Sequence, residues 1–147
     1  MRAPPATAHL AFYGTLMSGF DTLDELGVRA KLRLLGPCRI AGRLFDLGEW
    51  PTLVRGGGVA HGELFEILDA SVFATLDPFE DYRPGDPARS SYLRVRVALL
   101  APAVEAWVYV ASETPPSARE ITSGSWQTGW AASAARAKTP ANMLDQA

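Results

Sequence analysis

Leu10-Ala11-Phe12-Tyr13-Gly14-Thr15-Leu16 is an apolar run that breaks on a turn. It reads as the end of a first strand, His9 to Tyr13, stopping at Gly14. Glycine in such a turn gives the backbone shapes that other residues resist. Successive amide N–H groups can then face one way and form a concavity suited to a carboxylate or an oxyanion. The same turn occurs in proteins that have no site, so its meaning depends on the rest of the chain.

Outward from it, Phe20 to Leu26 carries Leu23 and Leu26 at helical spacing with Asp21 as N-cap, and reads as a short helix. Cys38 to Phe45 reads as a strand, with Arg39, Ala41 and Arg43 on one side and Ile40, Gly42 and Leu44 on the other. Asp46 to Gly58 holds Gly48, Pro51 and Gly56-Gly57-Gly58 and reads as a loop. A second long strand follows, from Val59 to about Leu68. Asp69 can cap a helix carrying Val72, Phe73 and Leu76 on one face, which Pro78 stops or restarts. After a polar loop from Arg83 to Ser91, Tyr92–Leu100 and Val104–Ala111 form a hairpin around Ala101-Pro102-Ala103. In its second strand Val104, Ala106, Val108 and Val110 face one way, Trp107 and Tyr109 the other. About five strands outnumber the short helices. That predicts an α+β fold built on a curved, mostly antiparallel sheet or small β-barrel. One domain is expected over residues 8–130. Residues 1–7 are expected to fray, and an Ala-rich tail follows over 131–147, compatible with helix.

Composition narrows the function. A chain of 147 residues that is 48% hydrophobic and 20% charged has the make-up of one folded domain. A net charge of −2 lacks the concentrated basic face that nucleic acid needs. The single cysteine, Cys38, has no internal disulfide partner, which fits a reducing compartment. No apolar h-region follows the first residues, and no apolar stretch reaches the ~20 residues of a membrane helix. A cytoplasmic protein is expected.

Several chemistries fail on spacing. His9 and His61 are the only histidines, lie on separate strands, and have no cysteine cluster beside them, so no metal is expected. The glycine triplet lacks the Lys-Ser/Thr of a phosphate loop, and Ser125 lacks the second glycine of a nucleophile elbow. The carboxylates say more. Glu63 and Glu66, an odd number of residues apart, face opposite sides of a strand and cannot share a site. Glu80 has two readings. Asp77 as N-cap, Pro78 at the first helical position and Glu80 at the third make a capping box, which the residues alone favour. The other reading is a carboxyl desolvated by Phe79 and Tyr82, its pKa raised into the range useful for proton transfer.

Seven short motifs then occur in one order. They are Phe12-Tyr13-Gly14-Thr15-Leu16, Gly42-x-Leu44 with Asp46-x-Gly48-x-x-Pro51, and Val59-x-x-Gly62-Glu63-Leu64-Phe65-Glu66. Leu76-Asp77-x-Phe79-Glu80-x-Tyr82, Tyr92-x-Arg94, Ala106-x-Val108-Tyr109-Val110 and Ile121-x-Ser123-Gly124-x-Trp126 complete them. The series resembles gamma-glutamylcyclotransferase-like proteins over roughly residues 10–126, most of all the branch acting on gamma-glutamyl amines. The resemblance implies a small mixed barrel flanked by short helices. It also implies a cofactor-free reaction in which the substrate's α-amine attacks its own γ-carbonyl, releasing 5-oxoproline and an amine. Glu80 matches the catalytic glutamate by its place in the motif. Tyr13, Gly14, Thr15, Leu16, Tyr92 and Tyr109 are then the substrate-binding candidates, the tyrosines being equally readable as core aromatics. With the resemblance added, catalysis is favoured over the cap. Trp50 departs from the tyrosine common in the family, the Asp81–Ser91 loop is long, and the tail has no counterpart. The partner expected is a small gamma-glutamyl compound; the sequence leaves the oligomeric state open. Two competing readings are a non-catalytic small-molecule-binding domain, and an interaction module docking through Ala131–Ala137.

Overall fold

The computed structural model describes residues 8–48, 50–115 and 118–126; the expected fraying end 1–7 and the Ala-rich tail 131–147 lie outside the described residues. Alternation in the first strand sets the architecture. In β1 (His9–Phe12), Leu10 and Phe12 join one apolar cluster, while Ala11 and the following Tyr13 join another on the opposite face. Its neighbours do the same. In β3 (Pro51–Ile67), Phe65 faces the first cluster and Leu64 the second, and β5 (Glu105–Ala111) sends Tyr109 to the first and Ala106, Val108 and Val110 to the second. A sheet buried on both faces follows, each fully buried Leu, Val or Phe contributing about 1.5–3 kcal/mol. The helices α1 (Thr22–Glu25) and α2 (Val72–Phe79) cover the first cluster with Leu23, Val72 and Leu76.

With β2 (Leu32–Asp46), β4 (Tyr92–Ala98) and β6 (Arg119–Ile121), the six strands run in the order β4-β5-β1-β3-β2-β6. Every pairing is antiparallel except β1 with β5. The expected mostly antiparallel α+β fold is therefore the observed one. The expected barrel does not close. β6 takes the edge of β2 at Leu44–Asp46. Among the described residues a single bridge joins the turn after β4 to β2, the Arg39 N–H donating to the Ala101 carbonyl at 2.7 Å and the Leu100 N–H donating to the Arg39 carbonyl at 2.9 Å.

The largest departure from expectation is at residues 46–58, read as a loop. The chain reverses between Asp46 and Pro51, and β3 begins at once, running through the glycines. The ladder pairs Ala41 with Val59 and Arg43 with Val54, so Gly42 alone faces four residues of β3. Gly42, Gly56 and Gly58, at φ 151°, 138° and 105°, absorb that bulge. Glycine here marks a distorted strand where the composition suggested a turn.

Gly62 has a different reason. A Cβ on it would lie 2.3 Å from the Phe12 carbonyl oxygen, where β1 crosses β3. Gly62→Ala is expected to push β1 off its partner. It should lower the stability measured by urea unfolding by about 2 kcal/mol, the typical cost of overpacking.

Candidate active site

The helix α2 brings the chemistry in. Asp69 does not cap it directly; its Oδ1 accepts from the Ser71 N–H at 2.9 Å, and Ser71 stands at the N-cap position. The helix then runs through Asp77 and Pro78 to Phe79, and Glu80 is the residue that ends it. The capping-box reading is therefore overturned. Pro78 sits in the last turn, too late for its missing N–H to break the helix, and Asp77 faces inward.

Asp77 and Glu80, three residues apart at the end of one helix, share a face. Glu80 enters a cleft of about 40 Å³ with Ala11, Tyr13, the Gly14-Thr15-Leu16 turn, Trp50, Pro51 and Tyr109. Burial pushes its carboxyl up to about 7. Phe79 is not part of that cover, since it is 46% exposed; the apolar surroundings come from the strands across the cleft. Burial also raises the phenols of Tyr13, Tyr92 and Tyr109, and the nearby Glu80 charge adds to each. Thus all seven residues singled out from the sequence converge. Six line the cleft with Glu80 among them, and Tyr92 stands behind its wall, donating its hydroxyl to the Pro51 carbonyl at 3.5 Å.

The turn behaves as a turn, for a reason other than the one expected. The Met17 N–H donates to the Gly14 carbonyl at 3.0 Å, closing the turn, while the amides of Gly14, Thr15 and Leu16 donate to no acceptor among the described residues. Gly14 is not in the left-handed region. It is glycine because a Cβ would meet Pro51 Cγ at 2.7 Å and Cδ at 2.9 Å. Gly14→Ala is expected to move either the turn or the Trp50–Pro51 wall. The activity proposed below should fall at least about tenfold, as displacements near 1 Å do in such sites, with stability lowered by about 1 kcal/mol.

Asp77 was missed as part of the site. Its carboxylate accepts from Arg94 Nε at 2.9 Å and Nη2 at 3.2 Å, and from the Tyr109 hydroxyl at 2.6 Å. The Tyr13 hydroxyl donates in turn to the Tyr109 carbonyl at 2.6 Å. The Arg94 guanidinium lies 3.9 Å from the centre of the Phe73 ring and 4.7 Å from that of Trp107. One signal existed, Asp77 lying one helical turn before Glu80; the pairing of Arg94 with Tyr109 across β4 and β5 emerges only with the register.

A larger groove of about 790 Å³ lies elsewhere, lined in part by His9, Cys38, Arg39 and His61. Burial raises the Cys38 thiol to about 12, which makes it a poor nucleophile and ligand. Among the described residues no three His, Cys, Asp or Glu side chains are grouped for a metal, and no helix is long and apolar enough to cross a membrane. Size aside, the small cleft holds the shifted carboxyl and the Gly14–Leu16 turn, whose amides donate to no acceptor among the described residues, and it is the candidate active site.

The chain is similar to known proteins over most of its length. The model of the family described as gamma-glutamyl cyclotransferase, AIG2-like, matches residues 10–128. A Vibrio cholerae protein whose name gives it provisionally as a gamma-glutamylcyclotransferase is 34% identical over 121 residues, 80% of this chain and 95% of its own length. The solution structure of Escherichia coli ytfP superposes with a TM-score of 0.61 at 28% identity, covering 80% of this chain and 95% of that one. An uncharacterised Pyrococcus horikoshii protein shares the fold, with a TM-score of 0.65 at 21% identity over 86% of this chain and 96% of its own.

Proposed function

Since the chain belongs to the gamma-glutamyl cyclotransferase, AIG2-like, family, we propose that it converts a gamma-glutamyl amine to 5-oxoproline and the free amine. One observation carries the reading. A carboxyl held near pKa 7 by burial shares a small cleft with three consecutive amides that have no acceptor among the described residues.

Each part has a task. The α-amine of the substrate attacks the γ-carbonyl in its neutral form and must shed one proton as the ring bond forms, and the leaving nitrogen must gain one. Glu80, ionised, takes the first proton and returns it to the leaving nitrogen, so the carboxylate is regenerated and no cofactor enters. The carbonyl oxygen turns negative as the five-membered ring closes. The Gly14–Leu16 amides suit either that oxygen or the α-carboxylate. Attack within one molecule leaves the protein mainly to fold the substrate into a ring-closing shape, a gain worth up to about 7–11 kcal/mol in well-oriented cases. Tyr13 and Tyr109, with their phenols held neutral, wall the cleft; their hydroxyls already donate to the Tyr109 carbonyl and to Asp77, so toward the glutamyl group they can act as acceptors.

The test is 5-oxoproline release, followed by mass spectrometry, from a panel of gamma-glutamyl amines and dipeptides. Release is the expected result. A folded protein that binds members of the panel and releases nothing would overturn the reaction and leave a binding domain.

A further inference from the structure

Trp50 is the one large side chain of the cleft that remains open to water, 48% exposed. It stands at the end of the tight reversal between Asp46 and Pro51, where its carbonyl accepts from the Leu47 N–H at 3.0 Å. The residue is therefore fixed at the reversal of the β2–β3 hairpin by its backbone.

The lining of the cleft mixes two chemistries. Glu80, the Gly14–Leu16 turn and the buried Tyr13 and Tyr109 supply the groups that ring closure uses, and the exposed Trp50 supplies an apolar face. Among the described residues, none that lines the cleft is basic. A leaving group carrying its own carboxylate would meet no cation there, and it would be repelled by an ionised Glu80. What the cleft offers beyond the reacting centre is a flat indole face of the kind that stacks on apolar and aromatic bodies.

Building on the cyclotransferase reading, we propose that Trp50 selects the leaving group, and that the preferred substrates are gamma-glutamyl derivatives of apolar, arylalkyl amines without a carboxylate. The glutamyl head lies against the Gly14–Leu16 turn, the scissile nitrogen lies beside Glu80, and the amine's body emerges along the indole.

Three substrates separate the terms. Gamma-glutamylphenethylamine and gamma-glutamylphenylalanine share the ring and differ by the carboxylate, and gamma-glutamylmethylamine lacks the ring. In kcat/KM, the phenethylamine compound is expected to exceed each of the others by about tenfold, the size of a modest apolar contact in a pocket. Trp50→Ala should collapse the phenethylamine-to-methylamine ratio toward one, and Trp50→Phe should restore most of it. A native preference for the phenylalanine compound, or a ratio that Trp50→Ala leaves unchanged, would overturn the assignment. Absence of turnover would refute the reaction and still leave Trp50 testable. Calorimetric binding of gamma-glutamylphenethylamine should be about tenfold weaker in Trp50→Ala, and equal affinity would reject the stacking role.

Discussion

Glu80→Gln is expected to abolish 5-oxoproline release and, above pH 7, to make the protein more stable. The first effect follows from losing the one titratable group among the cleft's described residues that can accept a proton near neutrality. Glutamine keeps the shape and can neither take nor return a proton, so a fall of about 10²–10⁴ in kcat is expected. In the native protein kcat/KM should rise with pH through about 7, as the carboxyl ionises into its basic form. The stability effect has the opposite sense from that of a salt-bridged acid. The carboxyl is raised from 4.5 to about 7 by desolvation, so the folded protein holds this proton more tightly than the unfolded chain does. Below pH 4.5 both states are protonated and nothing is lost. As pH climbs from there through 7, the folded state must ionise a buried group, and stability falls by up to about 3 kcal/mol before levelling. Glutamine carries no such penalty. Urea unfolding of both proteins at pH 5 and pH 8 gives the contrast: the stability difference in favour of the variant should grow with pH. A difference independent of pH would mean that Glu80 is solvated and has an ordinary pKa. Equal product release by both proteins would remove it from the mechanism.

That behaviour was only half legible in the sequence. The motif around Glu80 flagged the residue, yet its local pattern argued for a helix start. What decides between the two is tertiary: α2 buries Val72 and Leu76 and so continues past Asp77, a choice made by packing against β1 and β5 and not by capping propensity. Strand faces were easier, because period-two alternation survives in any context. Ile40, Gly42 and Leu44 are buried, and Arg39 and Arg43 exposed, as the pattern of β2 predicts. The stretch 51–58 failed for the reverse reason. Its composition is that of a turn, and only the partner strand reveals that the glycines are a bulge inside a ladder. Cross-strand neighbours such as Arg94 and Tyr109 likewise need the register, which a single strand cannot supply.

The same register gives the largest stability effect expected of one substitution away from Glu80. Arg94 and Asp77 are a mostly buried pair, with side chains 17% and 12% exposed, and each satisfies the other through two hydrogen bonds. Arg94→Ala leaves the mostly buried Asp77 carboxylate with the Tyr109 hydroxyl as its remaining donor among the described residues, and should cost about 3–5 kcal/mol in urea unfolding. Much of that cost belongs to the stranded charge and not to the lost attraction. Adding Asp77→Asn to Arg94→Ala should therefore recover stability, although Asp77→Asn alone destabilises by stranding Arg94. Losses that simply add across the two sites would show that the groups do not act as a pair. Arg94→Lys keeps the charge but not the planar fork or the stacking, so it should fall between native and Arg94→Ala. The consequence reaches catalysis because Asp77 sits one turn before Glu80 and receives the hydroxyl of Tyr109, whose carbonyl anchors Tyr13. In Arg94→Lys, folded at 25 °C, kcat should drop while the pH at which kcat/KM rises also moves. A merely less stable protein with an intact cleft would keep that pH, and such a result would confine Arg94 to holding α2 against the hairpin.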